Sequence, residues 1–476
     1  MVSIFWFRQD LRLADNPALC LAAANTVIPV YIEDTSNAEN YSLGAASKWW
    51  LHHSLAALNA DLEHKLLLLS GDPLEIIPRL CQEHAVEAVY WNRSYEPWQI
   101  KRDKKLKQIL LQSDIKCQSE NSALLWEPWQ IVKADKTPYK VFTPFYKKGC
   151  LGSQPPRIPL AKPEQLSIKK VTGLTLAELD LLPKINWDHG FSKHWQVGES
   201  SAWQQLERFI ATGLSQYKNG RNLPAKLNTS KLSPHLHFGE ISPQQIWHEI
   251  NLLAPDHNTE HFCSELGWRE FSYNLLYFNP ELPTKNLQSK FDNFPWQDSS
   301  ANLKAWQQGK TGIPMVDAGM RELWQTGFMH NRVRMIVGSF LVKNLRLHWQ
   351  HGERWFWDTL VDADLANNSA SWQWIAGCGA DAAPYFRIFN PITQGEKFDP
   401  NGDYVRQYLP ELAKLPNKYL FSPWLAPAEV LASAGVELGN DYPWPIVDLK
   451  QSRAAALADF SQLKSGNGRE DEGFND

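Results

Sequence analysis

The fold class is decided at the start of the chain, by VSIFWF (Val2–Phe7) and the RQDLRLADNPAL that follows it at residues 8–19. The first run is almost wholly apolar, which predicts a buried strand. In the second run, Pro17 is typical of the first turn of a helix, and Asp15 or Asn16 can cap that turn. A strand, a loop and a helix in this order form one unit of an α/β fold.

The same alternation continues along the first quarter of the chain. Strand-like runs occur at residues 27–32, 66–69 and 88–91, and helical periodicity occurs near residues 46–62, 73–84 and 98–112. Alternation of this kind predicts a doubly wound, Rossmann-like parallel sheet, and we place this α/β domain at residues 1–125. Such sheets bind ligands beyond the carboxyl ends of their strands. No GxGxxG or P-loop motif indicates which ligand.

The remainder of the chain divides into a linker, a helical domain and a tail. Residues 126–195 lose the periodicity and are rich in proline, glycine and lysine, which predicts a connection that runs over the surface. Residues 196–465 carry amphipathic helical patterns without strand signals, so we expect a large all-helical domain. The acidic residues 466–476 are expected to be disordered.

Composition excludes several classes of protein. A chain of 476 residues with 43% hydrophobic residues can build two or three globular domains. We expect neither a membrane helix nor a signal peptide, and a cytoplasmic location, because long apolar runs are missing and the N-terminus carries charges. Six cysteines without a CxxC or Cys/His cluster argue against disulfides and against a metal site. The net charge of -4 does not by itself indicate a nucleic-acid partner.

The stretch VDADLANNSASWQW, residues 361–374, is unusually polar for a region with buried helices on both sides. Its carboxylates Asp362 and Asp364 would each cost several kcal/mol to bury without a partner. A bound polar ligand is one such partner. An ion-pair network at the end of a helix is the other, and these residues alone do not separate the two.

A second polar stretch, NTSKLSPHLHFG at residues 228–239, places the hydroxyls of Thr229, Ser230 and Ser233 before a helix that we expect to begin at Pro234. Hydroxyls and backbone N–H groups at a helix start can bind an anion. An ordinary N-cap explains them equally well. Just upstream, Tyr217 and Arg221 offer an aromatic ring and a cation suited to stacking or phosphate contact.

Two helical segments carry further candidates. Glu265 and Trp268 lie on one helical face, as do Asn331 and Met335. Packed helices with surface ion pairs are the plain alternative. Three further tryptophans, Trp296, Trp349 and Trp372, could be core residues or redox-active indoles, and their spacing in the sequence does not show whether they touch.

Seven motifs in a single order resemble the photolyase/cryptochrome family, over residues from Ile4 to about Pro445. They are WFRQDLRLADNPAL, TSKLSPHLHFGEIS, WREF, GKTGIPMVDAGMREL, MHNRVRM, DADLANNSASWQWIAG and DAAPYFRIFNP. The resemblance implies an N-terminal antenna domain, a linker and a helical catalytic domain that holds FAD. It also implies that light-excited FADH⁻ donates an electron to an ultraviolet lesion in DNA.

The resemblance also gives roles to the residues around the flavin. Those matching the segment that binds the FAD diphosphate are Tyr217, Thr229, Ser230, Leu232 and Ser233. Asp362 matches the carboxylate that pairs with Arg334 against the flavin, and Asp364 the carboxylate that bonds the polar edge of the ring. Asn368 matches the asparagine facing flavin N5, where an amide oxygen can accept from a protonated N5. The tryptophans that match the photoreduction chain, in order outward from the flavin, are Trp372, Trp349 and Trp296.

The residues that match the lining of the cavity for a cyclobutane pyrimidine dimer are Glu265, Trp268, Asn331, Met335 and Trp374. The resemblance implies that the two indoles stack on the flipped-out bases and that Glu265 bonds the dimer radical anion; Asn331, Met335 and Asn368 complete the catalytic set. Residues that match positions contacting DNA or the rim of the cavity are Arg221, Arg332 and Arg387. These arginines would supply basic surface that the net charge conceals.

Two residues separate the subfamilies. Enzymes that repair the (6-4) photoproduct carry a histidine where this chain has Met335, and DASH-type members usually depart from the second tryptophan of WQW, here Trp374. Signalling cryptochromes commonly carry a long C-terminal extension. The resemblance therefore favours a monomeric bacterial class I, or related class III, photolyase acting on double-stranded DNA. An FAD-binding blue-light receptor without repair activity is the alternative.

The antenna chromophore is left open. Trp98 and Gln99 stand where folate-using relatives have an asparagine and a glutamate. Methenyltetrahydrofolate bound in another way, a deazaflavin, another flavin or no antenna at all remain the alternatives.

Overall fold

The computed structural model describes residues 1–382 and 387–466. The predicted tail lies outside these residues from position 467 onward, as do residues 383–386 of the DAAPYFRIFNP motif. The chain forms two compact units. The first contains residues 1–218, 228–280 and 358–367, and the second contains residues 219–227, 281–357 and the described residues from 368 onward. The predicted domain boundaries, which divide the chain differently, stay a prediction.

The first unit contains a five-stranded parallel sheet with the strand order β3-β2-β1-β4-β5. The strands are Val2–Phe7 (β1), Thr26–Asp34 (β2), Leu67–Gly71 (β3), Ala88–Asn92 (β4) and Lys116–Glu120 (β5). Strand β1 pairs with β2 from Val2 opposite Thr26 to Phe7 opposite Tyr31, and it pairs with β4 on its other side. The predicted doubly wound sheet is confirmed, and its strand order reverses between β1 and β4.

Strand β5 was not predicted, because its sequence KCQSE lacks the apolar run that identifies the other four strands. It lies at the edge of the sheet and pairs only with β4 among the described strands. A strand in that position has one partner and an exposed side, so polar residues are tolerated there.

Four helices accompany these strands: Pro17–Ala22 (α1), Ala45–Asp61 (α2), Pro73–His84 (α3) and Pro97–Gln112 (α4). Three of them begin with proline, and Asn16 caps α1 by accepting from the backbone N–H of Leu19. The predicted cap is therefore Asn16 rather than Asp15. The core between the sheet and α3 and α4 is apolar, with Trp6 and Trp91 in edge-to-face contact at 6.3 Å.

Beyond residue 120 the described residues form helices and loops, as predicted. The first-unit helices, with α8 at the boundary, are Phe142–Pro144 (α5), Phe191–His194 (α6), Glu199–Arg208 (α7), Tyr217–Gly220 (α8), Ser233–His237 (α9), Pro243–Asn251 (α10) and His257–Phe278 (α11). The later helices are Ser300–Gln307 (α12), Pro314–Thr326 (α13), Asn331–Ser339 (α14), Trp349–Thr359 (α15), Leu365–Ala376 (α16), Pro391–Phe398 (α17), Asp403–Tyr408 (α18), Asn417–Leu420 (α19), Ala428–Ala434 (α20) and Leu449–Gly466 (α21). In the part of the chain that is described, no helix is both long enough and apolar enough to span a bilayer.

A buried carboxylate ties the second unit together. Asp317 on α13 is fully buried and accepts four hydrogen bonds: two from Thr311 at 2.7 Å, one from the Gly312 N–H at 3.0 Å, and one from the Tyr442 hydroxyl at 2.7 Å. Gly312 has φ +75°, and a Cβ there would lie 2.4 Å from the Trp444 carbonyl. The loop before α13 and the segment near Tyr442 therefore depend on one acceptor.

We predict that Asp317→Ala lowers the free energy of unfolding by about 3–5 kcal/mol, because it leaves buried donors without an acceptor. Denaturant unfolding measures the loss. Glu396→Ala, which removes an exposed carboxylate on α17, is the control and is expected to change stability by no more than about 0.5 kcal/mol. Equal stability of the two variants would contradict the role given to Asp317.

Candidate functional site

The polar stretch at residues 361–374 forms the end of a loop and the helix α16. In the first unit, Asp364 accepts from the backbone N–H of Asn367 at 2.9 Å and from its side-chain amide at 2.6 Å. The Tyr273 hydroxyl also donates to this carboxylate, and His237 Nδ1 lies 3.6 Å from it. Asp364 is therefore bonded both to the first turn of α16 and to side chains of α9 and α11.

Asp364 stays ionised although it is buried. Burial by itself raises the pKa of this carboxyl group, but the neighbouring His237, Arg269 and Tyr273 outweigh it and hold the pKa at about 2. Nearby, burial and the charge of Asp364 raise the pKa of Glu96 to about 7. One carboxylate is thus firmly ionised while its neighbour titrates near neutrality.

Asp362, the other carboxylate of the stretch, accepts a hydrogen bond from the Ser233 hydroxyl at 2.6 Å. Ser233 is the first residue of α9, one position earlier than predicted, and its N-cap Leu232 makes no side-chain cap. The ordinary N-cap explanation of these hydroxyls is therefore wrong for Ser233, because its hydroxyl contacts Asp362 instead. The proposed pairing of Asp362 with Arg334 stays a prediction.

The segment before α9 is fixed by its neighbours in the first unit. The Gln205 side chain donates to the Ser230 carbonyl at 2.6 Å, and Asn228 donates to the Gly213 carbonyl at 3.0 Å. Thr229 and Ser230 are half-buried, while Tyr217 is buried against Phe262 with ring centroids 5.2 Å apart. Thr229 and Ser230 therefore provide hydroxyl groups on a segment whose backbone and flanking side chains are fixed by hydrogen bonds.

On α11, the predicted lesion residues Glu265 and Trp268 differ in their contacts. Glu265 lies 3.7 Å from His261 Nε2, one turn earlier. Trp268 is half-buried, and Phe142 stacks on its indole at 3.8 Å with the planes 10° apart. Phe142 was missed by sequence reasoning. It covers one face of Trp268, so only the opposite face is left for a flat ligand.

In the second unit, Gln373, the middle residue of the WQW motif, fixes this part of α16 to a neighbouring segment. The fully buried Gln373 donates to the carbonyls of Leu282 and Lys285 at 2.7 and 2.8 Å and accepts from the Leu287 N–H at 2.9 Å. Side chains two positions apart on a helix point in directions that differ by about 200° around its axis. Accordingly Trp372 is buried, while Trp374 is half-buried and donates to the Asp381 carbonyl at 3.1 Å.

The surroundings of Trp372 are aromatic and tightly packed. Phe356 and Trp306 meet its ring edge-to-face at 5.0 and 6.2 Å. A Cβ at Gly352 would lie 2.1 Å from the indole, so only glycine fits at that position of α15. Of the other predicted electron carriers, Trp349 is fully buried and donates to Asn286 at 2.9 Å, and Trp296 is half-buried.

Asn368 is held in a defined orientation. Its side-chain amide nitrogen donates to the Glu353 carbonyl at 3.0 Å, which leaves Oδ1 as the end that can accept. The Glu353 carboxyl group accepts from the Ser369 hydroxyl, and burial raises its pKa to about 7. Sequence reasoning missed Glu353. A single acid inside the aromatic run GERWFW was the signal that could have indicated it.

The remaining predicted residues of the second unit lie on α14 and near it. Asn331 is exposed and Met335 half-buried, one turn apart on α14. Arg332 donates to Asn222 at 2.6 Å, and Arg334 donates to the Met329 carbonyl at 2.7 Å. Burial, and after it the charge of Arg221, lowers the pKa of Arg332. Arg221 and Arg332 therefore lie close enough for their positive charges to interact. Arg387 is exposed.

Trp98 and Gln99, the two positions that bear on the antenna chromophore, both contact other residues of the first unit. The Trp98 indole donates to Glu96 at 2.6 Å, and the Arg102 guanidinium lies 5.0 Å from its ring centre. Gln99 is buried and lines a cavity of about 20 Å³, together with Glu96. That volume is room for about one water molecule.

Comparison with known proteins identifies the family. The model described as DNA photolyase matches residues 3–164, and the model described as FAD binding domain of DNA photolyase matches residues 262–462. A deoxyribodipyrimidine photo-lyase of Agrobacterium fabrum is 49% identical over 472 residues, which cover 97% of this chain and 98% of the relative. Cryptochrome-1 of Arabidopsis thaliana is 36% identical over 483 residues, covering 97% of this chain and 70% of the relative.

A solved structure agrees with this assignment. The bacterial class III photolyase from Agrobacterium tumefaciens superposes with a TM-score of 0.93 at 48% identity, covering 97% of this chain and 98% of that one. The predicted α/β and helical architecture and the FAD cofactor are thereby confirmed. The chain belongs to the photolyase/cryptochrome family.

Proposed function

We propose that this chain is a deoxyribodipyrimidine photo-lyase that uses light to split cyclobutane pyrimidine dimers in double-stranded DNA, acting as a monomer in the cytoplasm. Its similarity to the photolyase of Agrobacterium fabrum supports repair, while its similarity to Cryptochrome-1 of Arabidopsis thaliana keeps a receptor function in view. The subfamily residues Met335 and Trp374 favour dimer repair.

The residues present fit an FAD cofactor. In the first unit, Tyr217, Thr229 and Ser230 would contact the diphosphate, with the Ser233–Asp362 pair and Asp364 offering polar groups to the rest of the molecule. In the second unit, Arg334 and Asn368 are the proposed contacts. Bound FAD, in its two-electron reduced form, supplies the light-excited electron that opens the dimer.

The observation that carries the proposal is the orientation of Asn368. Because its amide nitrogen is used by the Glu353 carbonyl, its oxygen is available to accept from a protonated flavin N5. An acceptor there favours the reduced cofactor that repair requires. Glu353 orients Asn368 through the Glu353 backbone carbonyl rather than through its carboxyl group.

The lesion contacts divide between stacking and polar groups. Trp268 has one open face because Phe142 covers the other, and the half-buried Trp374 offers a second indole. Glu265 is proposed to hydrogen-bond the dimer, with Asn331 and Met335 completing the lining. Flipping out a dimer is favoured because the lesion stacks poorly in the duplex.

Affinity for DNA is proposed to come from a local basic surface. Arg221 and Arg332 lie close enough for their charges to interact, and Arg387 is exposed. Neutralising phosphates releases counterions, so binding should weaken as salt increases.

A blue-light receptor that holds FAD without repairing DNA is the second candidate. It is favoured by the cryptochrome relative. The two functions differ in the affinity for damaged relative to undamaged DNA and in the release of intact pyrimidines.

We predict that the reduced protein restores absorbance near 260 nm, about where pyrimidines absorb, when it is illuminated with blue light together with dimer-containing duplex. Dark samples and undamaged duplex are the controls. A normal flavin photocycle without recovery of absorbance, and without preference for damaged DNA, would favour the receptor.

We predict that Trp372→Phe slows flavin photoreduction at least tenfold and leaves repair by pre-reduced protein nearly unchanged, since phenylalanine is much harder to oxidise than tryptophan. Trp306→Phe is the matched control, because Trp306 is equally buried and contacts Trp372 but stands outside the proposed chain. Equal loss of photoreduction and repair would contradict the assignment of Trp372 to electron supply.

We predict that Glu353→Gln removes part of the pH dependence of stability. The pKa of Glu353 is raised by burial to about 7 from an ordinary value near 4.5, so the folded state holds a proton that the unfolded state has lost. The wild type should therefore lose roughly 3 kcal/mol relative to Glu353→Gln as the pH rises from about 4.5 to 7, with no further divergence above.

Thermal or denaturant unfolding of both proteins at each pH measures this difference. Glu396→Gln, on an exposed carboxylate, is the control and should follow the wild type. A wild type and Glu353→Gln that run parallel across the whole range would show that Glu353 is ionised in the folded protein.

A further inference from the structure

The proposed electron chain contains a ring that the family resemblance does not assign. His348 lies between two of the tryptophans in the second unit. Its imidazole stacks on Trp349 with centroids 5.6 Å apart and planes at 29°, and it meets Trp296 edge-to-face at 5.0 Å. Trp349 is fully buried and Trp296 half-buried, so His348 lies where the chain approaches the surface.

The backbone fixes this arrangement from both sides. The Gln297 N–H donates to the Arg346 carbonyl at 2.8 Å, which pairs the segment carrying Trp296 with the segment carrying His348. The Leu347 N–H donates to the Leu341 carbonyl at 3.1 Å. The two ring contacts therefore belong to a defined backbone pairing.

His348 is uncharged in this position. Its Nδ1 accepts from the Gln350 N–H at 3.3 Å, as the cap of α15, and an accepting ring nitrogen carries no proton. Burial and, after it, the neighbouring His351 and Arg354 lower its pKa to about 4, against an opposing effect of Asp292.

We propose that His348 is a positioning residue for the outer electron step, contacting the indole of Trp349 face-on and the indole of Trp296 edge-to-face without adding a fixed positive charge. The inference rests on the proposed electron chain. In the step, one electron passes from Trp296 to the oxidised Trp349 indole. No bond forms or breaks, the positive charge moves to Trp296, and His348 is neither oxidised nor reduced.

A neutral ring matters because the migrating species is positive. An imidazolium between the two indoles would repel the positive charge on either of them. A neutral imidazole makes both ring contacts without this repulsion. His348 thus has two separable features, the ring contacts and the helix cap.

Two variants separate these features. His348→Ser keeps a side chain that can cap α15 but loses the ring, whereas His348→Phe keeps a ring but loses the cap. Flash-induced absorption of the FAD-loaded protein follows the transfer of oxidation from Trp349 to Trp296. We expect His348→Ser to slow this step at least tenfold and His348→Phe to stay within threefold of the wild type. Thermal unfolding should show the opposite order, with His348→Phe the less stable.

Controls and a second readout complete the test. His351→Ala removes a half-buried histidine that makes no ring contact with either tryptophan among the described residues, and should leave the rate unchanged. The ring-proton NMR signals of His348, identified by their loss in His348→Phe, should stay constant from pH 8 to about 5.5, which does not depend on the flavin. A titration midpoint near 6.5, the ordinary value, would overturn the neutral-ring assignment.

The outcomes distinguish this inference from the proposed function. Equal rates in His348→Ser and His348→Phe, or a slower His348→Phe, would overturn the positioning role while leaving the chain intact. Trp296→Phe is the reference variant, because it shows how the flash-induced signal decays in a protein that lacks the outer electron donor. A wild type that already behaves like Trp296→Phe would show that the electron chain itself is wrongly assigned.

Discussion

The buried charge of Asp364 is the constraint on which α16 depends. An ionised carboxylate with little exposure to water needs several donors, and Asp364 obtains them from Tyr273 and from both nitrogens of Asn367. Because two of these donors belong to the first turn of α16, Asp364 caps the start of this helix while its own charge is satisfied.

In the second unit, burial shifts the pKa values of two ionisable groups near the proposed electron path in opposite directions. Glu353 has a pKa raised to about 7 and His348 a pKa lowered to about 4 by the same loss of hydration. Each shift favours the neutral form, since an acid keeps its proton and a base gives it up. Glu353 and His348 therefore carry less charge at neutral pH than exposed side chains of the same types would. Asp364 is the exception because its partners are numerous enough to overcome burial.

The sequence was sufficient for the fold class, whereas the roles given to the site residues stay predictions. Four of the five strands are apolar runs, three of them are followed by a helix that begins with proline, and all four could be found from the sequence pattern. Strand β5 could not, because an edge strand does not need to be apolar and its identity comes from pairing with β4. Ser233 shows the same limit for a single residue. Its position predicted a helix cap, but whether its hydroxyl bonds its own helix or Asp362, about 130 residues away, is set by the tertiary fold.

Two residues that sequence reasoning missed, Phe142 and Glu353, act through another side chain. Phe142 covers one face of Trp268, and the Glu353 backbone carbonyl orients the amide of Asn368. The role of such a residue is hard to predict from sequence, because a stacking ring or a backbone carbonyl acceptor can come from many residue types. The overall charge of -4 is uninformative for a related reason. Phosphate contact depends on where the positive charges lie, and Arg221 and Arg332 lie close together while acidic residues elsewhere dominate the sum. Composition describes the whole surface, whereas binding uses a small part of it.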